Sequence, residues 1–204
     1  ELDGGAQRLV IARDVERDAL AEPLDAALRA GKSGTIEHEG RTYFLTVQVP
    51  PVRIVVIGAV HITQALAPMA RLAGFDLTII DPRTAFARSD RFPDTRLDDR
   101  WPDEALSDWQ PNAASAIVAL THDPKLDDPA LIAALRSDAF YIAALGSRKT
   151  HGQRLERLGA QGFTSDQLAR IHGPAGLAIG AANPVEIAIS VMAEMTAVLR
   201  GRRD

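Results

Sequence analysis

The sequence predicts an α/β protein with a doubly wound parallel sheet, preceded by a small α+β unit. From residue 53 onward, short apolar runs typical of buried strands alternate with helical patterns. A polar loop follows each apolar run. The first loop, Gly58-Ala59-Val60-His61, joins a strand to a helix, where dinucleotide-binding domains carry a glycine-rich turn. This combination is typical of a Rossmann-like domain.

The composition excludes several classes of protein. The 204 residues are 46% hydrophobic and 25% charged, and no apolar run approaches the roughly 18 residues that cross a membrane. We therefore expect a soluble, cytoplasmic protein. The absence of cysteine excludes disulfides and thiolate metal ligands. A net charge of -4, with one dense basic run at residues 200–203, argues against nucleic acid as a partner. The chain begins at Glu1 rather than Met, which is consistent with a truncation.

The sequence pattern of residues 1–50 predicts the small α+β unit. Its elements are expected to be a strand at Arg8–Arg13, a helix at Val15–Ala30, and two strands within Gly34–Val49 that turn at Glu39-Gly40. So few strands cannot bury a large core alone. The unit is therefore interpreted as a remnant of a larger N-terminal domain or as an extra layer on the main sheet. Pro50-Pro51 marks the boundary.

Residues 53–204 predict the main domain. We expect strands at 53–57, 76–80, 116–120 and 140–145, with a missing or very short strand in the polar stretch 82–100. The expected helices are 61–73, 102–108, 127–136, 150–158, 164–171 and 184–199. Local signals mark their ends, because Gly74 stops the first helix, Thr164 and Gln167 form a capping box, and Asn183 caps the last helix.

Polar residues follow the predicted strands, where parallel sheets bind their ligands. Three of the five histidines fall in these loops. The loop 146–151 is the preferred anion site, because it offers backbone N–H groups, hydroxyls and two cations to a group such as phosphate. The candidate ligand-binding residues are Gly58, His61, Asp81, His122, Asp123, Lys125, Gly146, Ser147, Arg148, Lys149 and His151.

The first turn keeps only part of the dinucleotide fingerprint. Gly58 fits, but Val60 and Thr63 occupy the positions of the second and third small residues. Asp81, 23 positions after Gly58, stands where a ribose-binding carboxylate is expected. An NAD(P)-binding oxidoreductase is therefore one alternative, which Val60 weakens. No Ser, His and acid arrangement indicates a catalytic nucleophile.

A metal site is a further hypothesis for the histidines. Imidazole and carboxylate groups from His61, His122, Asp123 and His151 suit a divalent ion. No tight spacing of ligands supports such a site. We therefore predict that these residues cap helices or hydrogen-bond a ligand.

Several motifs, taken in order, resemble one family. The stretches are Arg53–His61, Asp81-Pro82-Arg83, Arg91-Phe92-Pro93, Thr121–Leu126, Ala144–His151, Ile171–Leu177 and 179–194. They resemble the C-terminal Rossmann domain of the XdhC/CoxI family, the xanthine dehydrogenase accessory proteins, and cover residues 53–201 nearly end to end. Residues 8–50 resemble only the tail of the family's N-terminal domain.

The resemblance implies an accessory or chaperone protein rather than an enzyme. Such a protein binds molybdenum cofactor (molybdopterin) and assists its maturation or insertion into a molybdenum hydroxylase of the xanthine dehydrogenase type. The implied partners are a cysteine desulfurase and a molybdenum hydroxylase subunit, and helix 184–199 has an apolar face that could form a homodimer. Val60, Ala178 and Asn183-Pro184-Val185 depart from the family pattern. A non-catalytic interaction module that has lost its ligand is therefore the other alternative.

Overall fold

The computed structural model describes residues 1–2 and 4–201, and its contacts divide the chain into two compact units. The first unit is Glu1–Pro50 and the second begins at Pro51. Residues 202–204 of the predicted main domain, and with them part of the basic run, lie outside the described residues. No helix in the described part of the chain is long and apolar enough to cross a membrane.

The first unit contains short helical segments and a hairpin. A 3₁₀ helix at Ala12–Arg17 is followed by α1 at Ala21–Ala30. Strands β1, Gly34–His38, and β2, Arg41–Leu45, pair antiparallel around the predicted turn. The hairpin is therefore confirmed, while the origin of this unit as a remnant of a larger domain stays a prediction.

Two predictions for the first unit are wrong. Residues 8–13 do not form a strand, and the helix expected from Val15 begins only at Ala21. The cause lies at Asp18, whose Oδ1 accepts the Leu20 backbone N–H at 2.8 Å. This side-chain bond stabilises a turn that separates the 3₁₀ helix from α1.

The second unit contains a six-stranded sheet in which every neighbouring pair is parallel. The spatial order is β5-β4-β3-β6-β7-β8, so the direction of winding reverses between β3 and β6. The predicted doubly wound Rossmann-like fold is confirmed. The strands are β3 (Arg53–Ile57), β4 (Asp76–Ile80), β5 (Arg96–Asp98), β6 (Ser115–Ala119), β7 (Tyr141–Ala144) and β8 (Ile171–His172).

Helices cover both faces of this sheet. They are α2 (His61–Leu72), α3 (Pro102–Trp109), α4 (Pro124–Leu135), α5 (Arg148–Ala160), α6 (Ser165–Leu168) and α7 (Pro184–Leu199). Alternate residues of β3 point to opposite faces. Ile54 and Val56 pack in a core cluster with α2 and α7, while Val55 and Ile57 pack in a second cluster with α3, α4 and α5.

Among the element boundaries of the main domain, the structure differs most from the prediction at the start of α4 and at the end of α6. Helix α4 begins at Pro124 rather than at Asp127, because Asp123 caps it and accepts the Lys125 backbone N–H at 2.9 Å. The predicted capping box on Thr164 is confirmed, but that helix ends at Leu168. Ile171 instead begins β8 and pairs with β7. The very short strand in the stretch 82–100 is β5.

Glu194 fastens α7 to the sheet. Its Oε2 accepts the Tyr141 hydroxyl at 2.5 Å and the Gly176 backbone N–H at 2.9 Å, and its Oε1 lies 3.2 Å from His172 Nδ1. Burial alone would raise the pKa of this carboxyl, but its three partners outweigh burial and lower the pKa. The charged carboxylate therefore holds α7, β7 and the segment after β8 together.

We expect Glu194→Gln to lower the free energy of unfolding by about 1 to 3 kcal/mol near neutral pH, because charged hydrogen bonds are lost. Because the pKa of Glu194 is lowered in the folded protein, its contribution to stability is complete above its ordinary pKa of 4.5. This contribution is lost as pH falls through the folded pKa. Urea unfolding between about pH 7 and pH 3 should therefore show a shallower acid decline in the variant. The exposed Glu156→Gln is the control. An unchanged acid decline in Glu194→Gln would contradict this assignment.

Candidate functional site

All the loops that carry predicted ligand-binding residues follow carboxyl ends of strands, at one edge of the sheet. They do not form one surface. His61 lines a cleft between the beginnings of α2 and α7, whereas Gly146 and Arg148 line a second cleft beside the segment 174–181. The loop residues 122–125 line neither cleft.

The turn after β3 is closely packed. Gly58 has a φ of +113°, and a Cβ there would lie 2.8 Å from Thr121 Cγ2. Buried Thr63 donates its hydroxyl to the Gly58 carbonyl at 2.6 Å. Val60 precedes α2 in an extended conformation, and its side chain makes no capping bond. Gly58 is therefore required for contact with the loop after β6, and Thr63 stabilises the turn.

Asp81 is wholly buried and organises the turn from the end of β4. Its Oδ1 accepts the backbone N–H of Arg83 at 3.0 Å and Nε–H at 2.8 Å. Its Oδ2 accepts the Ala59 backbone N–H and Arg83 Nη2–H, both at 2.8 Å. Burial would raise the pKa of this carboxyl, but these donors outweigh burial and lower the pKa. Four donors occupy the acceptor positions of the carboxylate, which leaves none for a ribose hydroxyl.

This geometry weighs against the NAD(P) alternative, and contact between Asp81 and a ligand stays a prediction.

A second arginine, Arg91, also stabilises the turn after β3. Arg91 Nη1 donates to the carbonyls of Ala59 at 3.0 Å and Phe86 at 2.7 Å, and Nη2 donates to Gln64 Oε1 at 3.2 Å. Arg91 thus holds the loop after β4 against α2. It lies in one of the motif stretches, but no spacing in the sequence indicated this role.

The loop after β6 uses its polar groups mainly to begin α4. Asp123 caps the helix, and its own N–H donates to Thr121 Oγ1 at 3.1 Å. His122 adopts a left-handed conformation with a φ of +61°. The side chains of His122 and Lys125 are exposed. Ligand contacts of these three residues stay predictions.

The loop after β7 begins α5. Ser147 Oγ accepts the Thr150 backbone N–H at 3.1 Å, and Gly146 has a φ of +147°. Arg148 and Lys149, the first two residues of α5, are exposed. The loop therefore presents two cations at the positive end of the α5 dipole, as an anion site requires.

His151 faces the segment after β8. A Cβ at Gly173 would collide with its imidazole, so the ring packs against the glycine backbone. Burial, followed by the positive charge of Arg154, lowers the pKa of His151. The imidazole is therefore neutral near pH 7 and serves better as a hydrogen-bonding or packing group than as a cation.

The second cleft has a volume of about 370 Å³ and walls of mixed polar and apolar surface. Leu145, Gly146 and Arg148 form one side, and residues 174–181 with Ile187 and Ser190 of α7 form the other. Arg148 is the charged residue that lines it. The first cleft is wider, at about 780 Å³, and lies beside His61 and the capped start of α7.

Backbone bonds fix the wall 174–181 at its inner end. Ala175 N–H donates to the Ala144 carbonyl at 3.1 Å, and Leu177 N–H donates to the Ser190 carbonyl at 3.2 Å. Gly176 has a φ of +92°, and a Cβ there would collide with the Ser190 hydroxyl. The cleft therefore depends on the close approach of this segment to α7.

No group of three or more His, Asp or Glu side chains in the described part of the chain is placed to hold a metal ion. The four residues considered as metal ligands lie in three separate places, at the start of α2, in the loop after β6 and in the first turn of α5. Sequence reasoning also missed the buried pair Asp127 and Arg154, which lies between the loops after β6 and β7. Their spacing within two helical patterns gave no signal of this pairing.

The parallel sheet, its strand order and the helices on both faces define a Rossmann-like domain. The family model described as the XdhC Rossmann domain matches residues 54–195, and the chain belongs to this family. The expected family resemblance is thereby confirmed.

The chain is also similar to curated proteins and to solved structures. Molybdenum cofactor insertion chaperone PaoD and the uncharacterized protein YqeB, both of Escherichia coli, are each 31% identical, over 73% and 76% of this chain. A probable xanthine dehydrogenase subunit of Bacillus subtilis is 30% identical over 85%. A crystal structure described as a xanthine dehydrogenase from Bacillus halodurans covers 80% of the chain at 27% identity, with a TM-score of 0.65. This chain spans 41%, 29%, 51% and 46% of these proteins, respectively.

We expect Asp81→Asn to lower the free energy of unfolding by about 3 kcal/mol, because an amide cannot accept all four donors and leaves buried groups unpaired. Chemical denaturation measures the loss. Asp90→Asn is the matched control, since Asp90 pairs with Arg88 on the surface, where both side chains are exposed. Equal, small losses in both variants would show that Asp81 does not organise the turn.

Proposed function

We propose that this chain binds molybdenum cofactor and acts as an accessory protein in the maturation of a molybdenum hydroxylase of the xanthine dehydrogenase type, or in insertion of its cofactor. The observation that carries the proposal is the cleft with Arg148 in its wall, at the beginning of α5. Membership of the XdhC family supports it. The names of two relatives, a molybdenum cofactor insertion chaperone and a probable xanthine dehydrogenase subunit, are consistent with it.

The residues of the cleft fit the chemistry of this cargo. The cofactor is a pterin that carries a phosphate. Arg148 in the cleft wall and the adjacent Lys149, with their own backbone N–H groups at the start of α5, would hold the phosphate through charge and hydrogen bonds. Leu145, Pro174 and Ile187 offer an apolar surface to the ring system. Gly146 leaves the approach to the helix free of a side chain.

The chemistry of these 204 residues limits the proposed role to holding and presenting the cofactor. They contain no cysteine, so they carry no thiolate that could transfer sulfur or bind molybdenum. A cysteine desulfurase would therefore supply any sulfur, and the hydroxylase would receive the cargo. Both partners, a homodimer and a cytoplasmic location stay parts of the proposal.

We expect the purified protein to retain molybdenum cofactor, freshly released from a hydroxylase, through anaerobic gel filtration. Arg148→Ala should weaken retention about tenfold or more, because it removes the cation from the cleft wall. Pterin fluorescence after oxidation measures the bound cofactor. Arg96→Ala is the matched control, since it removes an exposed positive charge on β5, the strand at the far edge of the sheet.

The other outcomes separate the alternatives. No retention by the unchanged protein, together with capture of a hydroxylase subunit, would favour a module that has lost its ligand. Calorimetric titration with NAD(H) and NADP(H) tests the oxidoreductase alternative. Binding that disappears in Asp81→Ala would favour that alternative, provided that the variant remains folded.

A further inference from the structure

Two buried charged residues connect the loops after β6 and β7. Asp127 of α4 is 1% exposed and Arg154 of α5 is 2% exposed. Arg154 Nη2 donates to the Leu145 carbonyl at 2.8 Å. Asp127 Oδ1 accepts the Thr121 hydroxyl at 2.6 Å and the Thr121 backbone N–H at 3.3 Å. Each charged group therefore holds the beginning of one loop, and the pair joins the two loops.

The contact between the two charges is incomplete as a hydrogen bond. Arg154 Nη2 and Asp127 Oδ2 lie 3.8 Å apart. Asp127 Oδ2 and Arg154 Nε and Nη1 are buried, and none of them has a hydrogen-bond partner within the described residues. Burial raises the pKa of Asp127 and lowers the pKa of Arg154. A pair in this state is a weak source of stability, because removing the charges from water offsets their attraction.

The position of the pair indicates a different use. A Cβ at Gly146 would lie 3.8 Å from Arg154 Nη2, so the guanidinium lies directly behind the glycine that lines the cleft. On the other side, Thr121 Oγ1 receives the Asp123 N–H at 3.1 Å, and Thr121 Cγ2 approaches Gly58. The pair therefore lies behind the loops that follow β3, β6 and β7, of which the loop after β7 lines the cleft, and its side chains are shielded from solvent.

We propose that Asp127 and Arg154 are positioning residues that hold the loops after β6 and β7 as one unit and thereby set the affinity of the cleft. Neither side chain lines the cleft, so both act through the loops. The part that concerns affinity rests on the proposed function. The coupling of the loops does not, because it is a property of the protein without its cargo.

Hydrogen exchange of the full chain tests the coupling without any ligand. In Arg154→Met, amide exchange in residues 121–125 and 145–151 should rise together by about tenfold or more, because the link between the loops is lost. Arg154→Lys should restore part of the protection, since it keeps a cation and a donor. Leu158→Ala is the control, because Leu158 is buried on the same helix and its loss destabilises α5 without removing the pair.

Cofactor affinity is the second readout. Retention of molybdenum cofactor should fall about tenfold in Arg154→Met and Asp127→Asn, recover partly in Arg154→Lys, and change less in Leu158→Ala at matched thermal stability. If Arg154→Met raises exchange in only one of the two loops, or if Leu158→Ala produces the same changes in both readouts, the inference is overturned. Failure of the unchanged protein to bind cofactor would overturn the proposed function and the part concerning affinity, while hydrogen exchange would still decide the coupling.

Discussion

The buried carboxylate of Asp81 is the constraint that fixes the loops at the carboxyl ends of β3 and β4. A buried carboxylate is stable only when donors replace the water that it loses, and Asp81 obtains four from Ala59 and Arg83. Those bonds fix the turn after β3 relative to the end of β4. Arg91 also holds the loop after β4 against this turn, because it donates to the Ala59 carbonyl. The polar groups at the carboxyl ends of β3 and β4, where a dinucleotide would bind, are thus already hydrogen-bonded to other groups of the protein.

The loops after β7 and β8, at the same end of the sheet, are built differently. Around Gly146 and Arg148, the polar groups begin a helix, and their charges face solvent and the cleft. Across the cleft, Glu194 and Ser190 of α7 hold the wall that follows β8. Two glycines permit this packing, one beneath His151 and one beside Ser190. This contrast between the two sides is consistent with the proposal that the domain binds a ligand other than a dinucleotide.

Local sequence predicted the parts of the fold that local physics determines. The apolar runs of β3, β4, β6 and β7, and the caps of α6 and α7, are visible within a few residues. The strand β8 was missed, since two residues form it only by pairing with β7. The same distinction between local and distant contacts applies to the candidate site. The types of residue at the strand ends were evident, but the bond from Ala59 to Asp81, the partners of Glu194 and the approach of Arg154 to Asp127 depend on distant parts of the chain meeting in the fold.

The wall of the second cleft is bonded to the rest of the domain near both of its ends and exposed between them. Bonds from Ala175, Gly176 and Leu177 hold its inner end to β7 and α7, and just beyond its outer end the Ala182 N–H donates to Glu186 of α7, whereas residues 178–180 are exposed. The gap is therefore fixed where the wall meets the sheet and open where it meets solvent. Under the proposed function, a gap of this shape would limit the thickness of a bound ring system, while its solvent-facing side would leave the length of the ligand unrestricted.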